Sequence, residues 1–240
     1  MSEKPPVLPH IAEPRPPLGP NATAMRPGPG GRPALGWGAI ADALLKDPDA
    51  LLTALTGRAS GALTGRLAAL AFFGTAAYGL IVGLFPGGLQ LAAVPLKLAG
   101  GLLASALICW PSLYIMLCLS GARQSALQVL GLLTAALALL ALLLAGFAPV
   151  AWIFTQSTRS AAFMGGLHLL LWAVSCAFAL RSLGLGLQTL NGRPMRALPV
   201  WGAVFVLVCL QMTATLRPLL SPFSGWGFAP RTFFLETWCR

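Results

Sequence analysis

An all-α bundle of about five membrane-spanning helices is the fold class the sequence predicts, and three observations predict it. The 240 residues are 57% hydrophobic and only 9% charged, with a mean hydropathy of +0.78, whereas soluble domains carry about 25% charged residues. The deficit is local: no Asp or Glu occurs between Asp49 and Glu236. Uncharged apolar runs recur through that interval at about the 20 residues a helix needs to cross a hydrocarbon core. Water could not solvate such a surface, and lipid can.

Taken in order, residues 1–35 are rich in Pro and Gly. A stretch of this kind buries too little apolar surface to offset its conformational entropy, which predicts a disordered tail. No apolar segment follows Met1 closely enough to read as a cleavable signal. Residues 36–66 are expected to form short amphipathic interfacial helices. Trp37, Ile40 and Leu44 share one helical face, and Asp47-Pro48-Asp49 reads as an N-cap opening a second helix with Leu51, Leu52 and Leu55 inward. The same periodicity also fits a helical hairpin resting on the bundle.

The bundle itself, 67–216, is expected to comprise spans at 67–85, 98–119, 126–147, 161–180 and 200–216, with 217–240 as a C-terminal tail. The second span carries Pro111 near its middle, where the missing amide and the crowded Leu107 carbonyl predict a kink. Gly100, Gly101, Ala104 and Ser105 on the same span are small enough to admit a neighbouring helix. That span is therefore expected at the centre of the packing. The third is nearly pure Leu and Ala and ends before Pro149; the fourth is bounded by Arg159 and Arg181. Gly131, Gly146 and Gly165-Gly166 read as further close-approach positions. Trp152, Trp201, Trp226 and Trp238 lie near span ends, as interfacial aromatics do.

The net charge of +10 is spread through the tail and between the spans, not gathered on a basic face, so it predicts lipid contacts and no nucleic acid. Lys4, Arg15, Arg26, Arg32, Lys46, Arg58, Arg66, Arg123, Arg181, Arg193 and Arg196 fall on the side of the N-terminus. Lys97, Arg159, Arg217, Arg231 and Arg240 fall on the other. This bias predicts a cytoplasmic N-terminus and an exterior C-terminus.

Chemistry is sparse. His168 is the one imidazole within a span, with Gly165, Trp172, Ser175 and Ala179 on its face. It reads either as a relay or ligand residue or as a neutral ring bonded to a hydroxyl or to a carbonyl freed at the Pro111 kink. The absence of carboxylate partners favours the second. Gln211 and Thr215 share a face of the fifth span and suit interhelical hydrogen bonding. Pro111, Tyr114, His168, Gln211 and Thr215 are thus the candidate polar or ligand site in the bundle core. Cys109, Cys118, Cys176 and Cys209 lie in spans without a C-x-x-C pair, and Cys239 stands near the end, so no metal or disulfide framework is expected. Cofactors are not expected either. Metal-dependent and dyad hydrolysis both need acids the spans lack, and a Ser105 or Ser112 pair with His168 has no motif behind it.

Gly87-Gly88-Leu89-Gln90-Leu91 leading to Pro95-Leu96-Lys97, then Pro111-Ser112-Leu113-Tyr114, then Gln211 through Leu216-Arg217-Pro218 resemble a group of bacterial multi-span proteins of unknown function, some called Yip1-like. The likeness covers roughly residues 40 to 235. It implies a bacterial membrane protein and transfers no chemistry. The resulting expectation is a non-enzymatic, multi-pass component of the bacterial cytoplasmic (inner) membrane that binds a protein partner or its own copies through small-residue helix faces. The alternative is a small permease with a path near Pro111, Tyr114, His168 and Gln211; an intramembrane enzyme ranks third.

Overall fold

The structure, a computed structural model, describes residues 36–46, 48–57, 60–84, 90–122, 124–158, 160–192 and 194–215. Its elements are α1 (Trp37–Lys46), α2 (Pro48–Leu55), α3 (Ser60–Leu84), α4 (Gln90–Leu119), α5 (Ala126–Ser157), α6 (Ala161–Asn191) and α7 (Leu198–Thr215). The described chain is all-helical, with no strand among these residues. The 1–35 tail, the Asp47 cap, the 85–89 connection, Arg58, Arg123, Arg159, Arg193 and the 216–240 segment with Trp226, Trp238 and Cys239 lie outside the described residues.

Four helices, α3 to α6, are long and apolar enough to cross a membrane, and α7 is a shorter apolar helix. The 18 residues of α7 rise about 27 Å, close to the thickness of a hydrocarbon core. Large apolar side chains face outward around the bundle, among them Phe73, Leu107, Ile108, Leu170 and Phe178. The buried polar residues Thr64, Thr75, Ser105, Thr134 and Ser175 face inward. A soluble monomer rarely exposes apolar patches beyond a few hundred Å²; lipid tails cover such a surface at no cost.

The helices run longer than the hydropathy pattern predicts. α3 begins at Ser60, so residues 60–66 belong to the bundle and not to an interfacial segment. α4 takes in Pro95, α5 passes through Pro149 to Ser157, and α6 passes through Arg181 to Asn191. Prolines stop helices in water because a carbonyl is left open, but inside a bundle neighbours and local adjustment satisfy it. The boundaries are set by caps. Ser125 and Gln128 form a reciprocal capping box at the start of α5, Ser160 accepts from the Phe163 amide, and Gly192 closes α6 at φ 70°. Gly121, at φ 82°, closes α4, and the next amide, Ala122, reaches back to the Leu117 carbonyl at 3.3 Å. Gln124 Nε2 donates to the Leu190 carbonyl at 2.7 Å, tying the α4–α5 turn to the end of α6.

The central helix is α5, not the Pro111-bearing α4. Two-thirds of its most apolar window is buried, against one-third for α3 and α4, and every residue from Gly131 to Ala138 is enclosed. A helix apolar on all sides has no face to give to solvent. Glycines on the neighbouring helices let them close in on it: a Cβ on Gly74 of α3 would stand 3.0 Å from the Ala141 Cβ. A Cβ on Gly186 of α6 would stand 2.7 Å from Leu132 Cδ1. Gly131 is a close approach, whereas Gly100, Gly146 and Gly166 face open space, so those three expected contacts do not form.

α4 packs on α3 and α7 packs mainly on α4. The α1–α2 pair rests on the start of α5, burying Ile40, Leu44, Leu51, Leu52 and Leu55, which is the hairpin-on-bundle arrangement. Asp42 pairs with Lys46 one turn on at 2.7 Å; this hydrogen bond and the Asp42 charge raise the lysine pKa above its ordinary value.

Candidate functional site

Tyr78 with His168, and Trp201 with Ser112, are polar contacts between helices that are distant in sequence. In the first, the Tyr78 hydroxyl on α3 lies 2.9 Å from His168 Nδ1 on α6, with the rings edge to face at 5.7 Å. Tyr78 is buried and His168 half-buried. The tautomer decides the direction of the bond: either the phenol donates to Nδ1, or Nδ1–H donates to the phenol oxygen. The partner of His168 is therefore a hydroxyl from α3, not a carbonyl freed at Pro111. His168 Nε2 remains buried without a hydrogen-bond partner, and so does Thr75 Oγ1, one turn before Tyr78. This contact lies in the first third of α6, which continues to Asn191.

The second contact sits beside Pro111. The Trp201 indole N–H on α7 is shared between the Cys109 carbonyl at 3.3 Å and Ser112 Oγ at 3.1 Å. Ser112 Oγ in turn donates to the Cys109 carbonyl at 2.7 Å. Trp201 stacks on Phe205 at 5.4 Å and is 2% exposed. It is a packing anchor inside the bundle and not the interfacial aromatic that its place near a span end suggests. Trp152 does stay exposed.

One turn further along α7 from Phe205, the Cys209 thiol lies against the Ser105 hydroxyl, with Cys109 and Cys176 nearby. Three buried thiols from α4, α6 and α7 thus share one seam. Among the described residues no group of three His, Cys, Asp or Glu side chains is arranged to hold a metal ion.

The expected site residues do not come together. Gly79, beside Tyr78, packs against Pro95, and from Pro95 to Pro111 the helix rises about 24 Å. The His168 contact and the Trp201 contact beside Pro111 therefore lie at different depths. Gln211 stands on α7 about 15 Å along the axis from Trp201, on an exposed position. Tyr114 is half-buried beside Cys118 on its own helix. Thr215 is the last residue of α7. Sequence reasoning missed Tyr78, Thr75 and Trp201. The first two sit in a span with no other distinguishing mark, and the third was placed at the membrane boundary.

Two cavities flank α6. The larger, about 640 Å³, lies between α6 and α7 and is lined by Leu180, Arg181, Gly184, Leu198, Gly202 and Ala203, then by Val206, Leu207 and Leu210. The smaller, about 250 Å³, lies beneath α1–α2 against α5 and α6 and also includes Arg181. Pro111, Tyr114, His168 and Gln211 line neither. No known family model, curated protein or solved structure matches the chain.

Proposed function

We propose that the protein is a non-enzymatic, multi-pass component of the bacterial cytoplasmic membrane, its N-terminus inside, that acts by binding partners at its lipid-facing helix surfaces. One observation carries this reading: the polar side chains that reach between helices close on one another at separate depths instead of lining a shared passage. The bias of cations toward the N-terminal side supports the orientation, and the resemblance to bacterial multi-span proteins supports the compartment.

The test combines sizing of the detergent-purified chain with photo-crosslinking in cells from probes at exposed Phe73, Ile108 and Phe178. A discrete adduct from one face is expected. A monomer in mild detergent with no adduct from any position overturns the proposal. A reporter fused after Arg240 should be active outside the cytoplasm.

A second reading, a permease for a small polar solute, draws on the open Thr75 Oγ1 and His168 Nε2 between α3 and α6. Solute flux in proteoliposomes that is lost on His168→Ala, with helicity intact, would place this reading first.

A further inference from the structure

We propose that Arg181 and the groove between α6 and α7 form a binding site for an anionic phospholipid, with its phosphate on the guanidinium and an acyl chain along the groove. The inference rests on the membrane-spanning reading and names the partner class.

Charge is the first ground. Arg181 lies inside α6, ten residues before its end, and is exposed. No hydrogen bond or ion pair to it is found among the described residues. From residue 50 to residue 235 the sequence contains no carboxylate side chain, so none of the helices α3–α7 carries a charge that neutralises it. An arginine within a spanning helix is costly unless paired. Its planar fork matches phosphate oxygens two at a time and is weakly hydrated.

Depth is the second. A Cβ on Gly184, one turn beyond Arg181, would stand 2.9 Å from Leu198 Cδ2, at the first residue of α7. Arg181 therefore sits about one turn below the point where the chain enters the bundle, on the side of Arg196 and the α1–α2 pair. A side chain this long reaches the headgroup level from there. Basic pockets between helices near that level take anionic headgroups.

Shape is the third. Below Arg181 the groove continues along α7 to Leu210 with aliphatic and glycine walls. From Leu198 to Leu210 the axis rises about 18 Å, the length of a fatty-acyl chain and not of a headgroup alone. At Gly184 and Gly202 its walls draw together, the glycines lying against the Leu198 and Leu180 side chains.

The test is native mass spectrometry of the full chain, purified in mild detergent and titrated with dioleoyl phosphatidylglycerol or with dioleoyl phosphatidylcholine. The wild type should take up phosphatidylglycerol at least about fivefold more strongly, the factor one arginine contributes at a membrane surface. Arg181→Gln should bring the two lipids level. Ala203→Phe, which fills the groove from an exposed position, should lose adducts of both, and Arg196→Gln should change neither. If Arg181→Gln loses its helical spectrum, Arg181→Lys takes its place and should keep the preference.

Equal uptake by the wild type overturns the site, as do a preference that survives Arg181→Gln, an equal loss in Arg196→Gln, and a second protein chain that excludes lipid. A folded chain that needs detergent yet shows no preference sinks this site alone. A chain that stays folded and soluble without detergent sinks the membrane reading as well.

Discussion

Replacing Gly79 by alanine should force α3 and α4 apart. The added Cβ would stand 2.7 Å from the Pro95 Cα and 3.2 Å from its nitrogen. Carbon atoms pack comfortably at about 3.5–4.0 Å, so the two backbones must separate by about 1 Å. No side chain can absorb this, since the nearest atoms are main chain and held in the proline ring. Overpacking of this kind costs about 1–3 kcal/mol, against which alanine gains about 0.8–1.0 kcal/mol in helix propensity. Gly100→Ala on α4 meets nothing within 4 Å and keeps the propensity gain alone. The difference between the two variants therefore isolates the clash, at about 1–3 kcal/mol in favour of Gly100→Ala. Unfolding in mixed micelles followed by far-UV circular dichroism reads both midpoints. Coincident midpoints would mean that α3 and α4 do not meet at this pair, and the reasoning fails.

Tyr78→Phe should cost about 0.6 kcal/mol and at most about 1.7, the range measured for hydrogen bonds between membrane helices. The Tyr78→Phe/His168→Leu pair should then show less than the sum of the single losses, and strict additivity in the same unfolding assay would deny the bond. Trp201→Phe keeps the stack on Phe205 but removes the donor to Cys109 and Ser112, which should lower stability by about 1 kcal/mol; an unchanged midpoint would show that the indole N–H contributes nothing. Brominated phospholipid should quench exposed Trp152 more strongly than buried Trp201, read from single Trp→Phe variants, and the reverse order would contradict the packing of α7. Gly131→Ala meets side-chain atoms and not main chain, Leu55 Cδ2 at 2.8 Å and Thr64 Oγ1 at 2.9 Å. Its loss should be smaller than that of Gly79→Ala, and an equal loss would mean the α1–α2 pair is held more rigidly than its contacts indicate.

The helical membrane class was legible because it depends on composition over long windows, where the missing carboxylates and the apolar runs both speak. Packing order was not. Pro111 and its glycines mark α4 to the eye, but α5 takes the centre because Ala141 meets Gly74 of α3 while Leu132 fills the gap at Gly186 of α6, and nothing in a Leu/Ala run announces which facing residues will be glycines. The glycines show the same limit: Gly79, Gly131 and Gly186 are contacts and Gly100, Gly146 and Gly166 are not, and only the facing residue distinguishes them. His168 was recognisable as a buried group needing a partner. Its partner was not, since Tyr78 sits ninety positions away in a span where hydroxyls, small residues and aromatics alternate without a pattern that points across the bundle.

Lipid solvates apolar helix faces as well as other helices do, so association in this bundle depends on close approach and on hydrogen bonds. The chain spends its tightest approaches on α5 and on the α3–α4 pair, and its polar bonds on α3–α6 and α4–α7. α6 and α7 touch only lightly, at Gly184 against Leu198 and at Gly202 against Leu180. Their groove is consequently a lightly held seam, and it carries an arginine for which α3–α7 hold no carboxylate. A partner that reaches this protein through the membrane should therefore engage it at α6–α7, and a solute would have to break the dry contacts around α5 to pass through the middle.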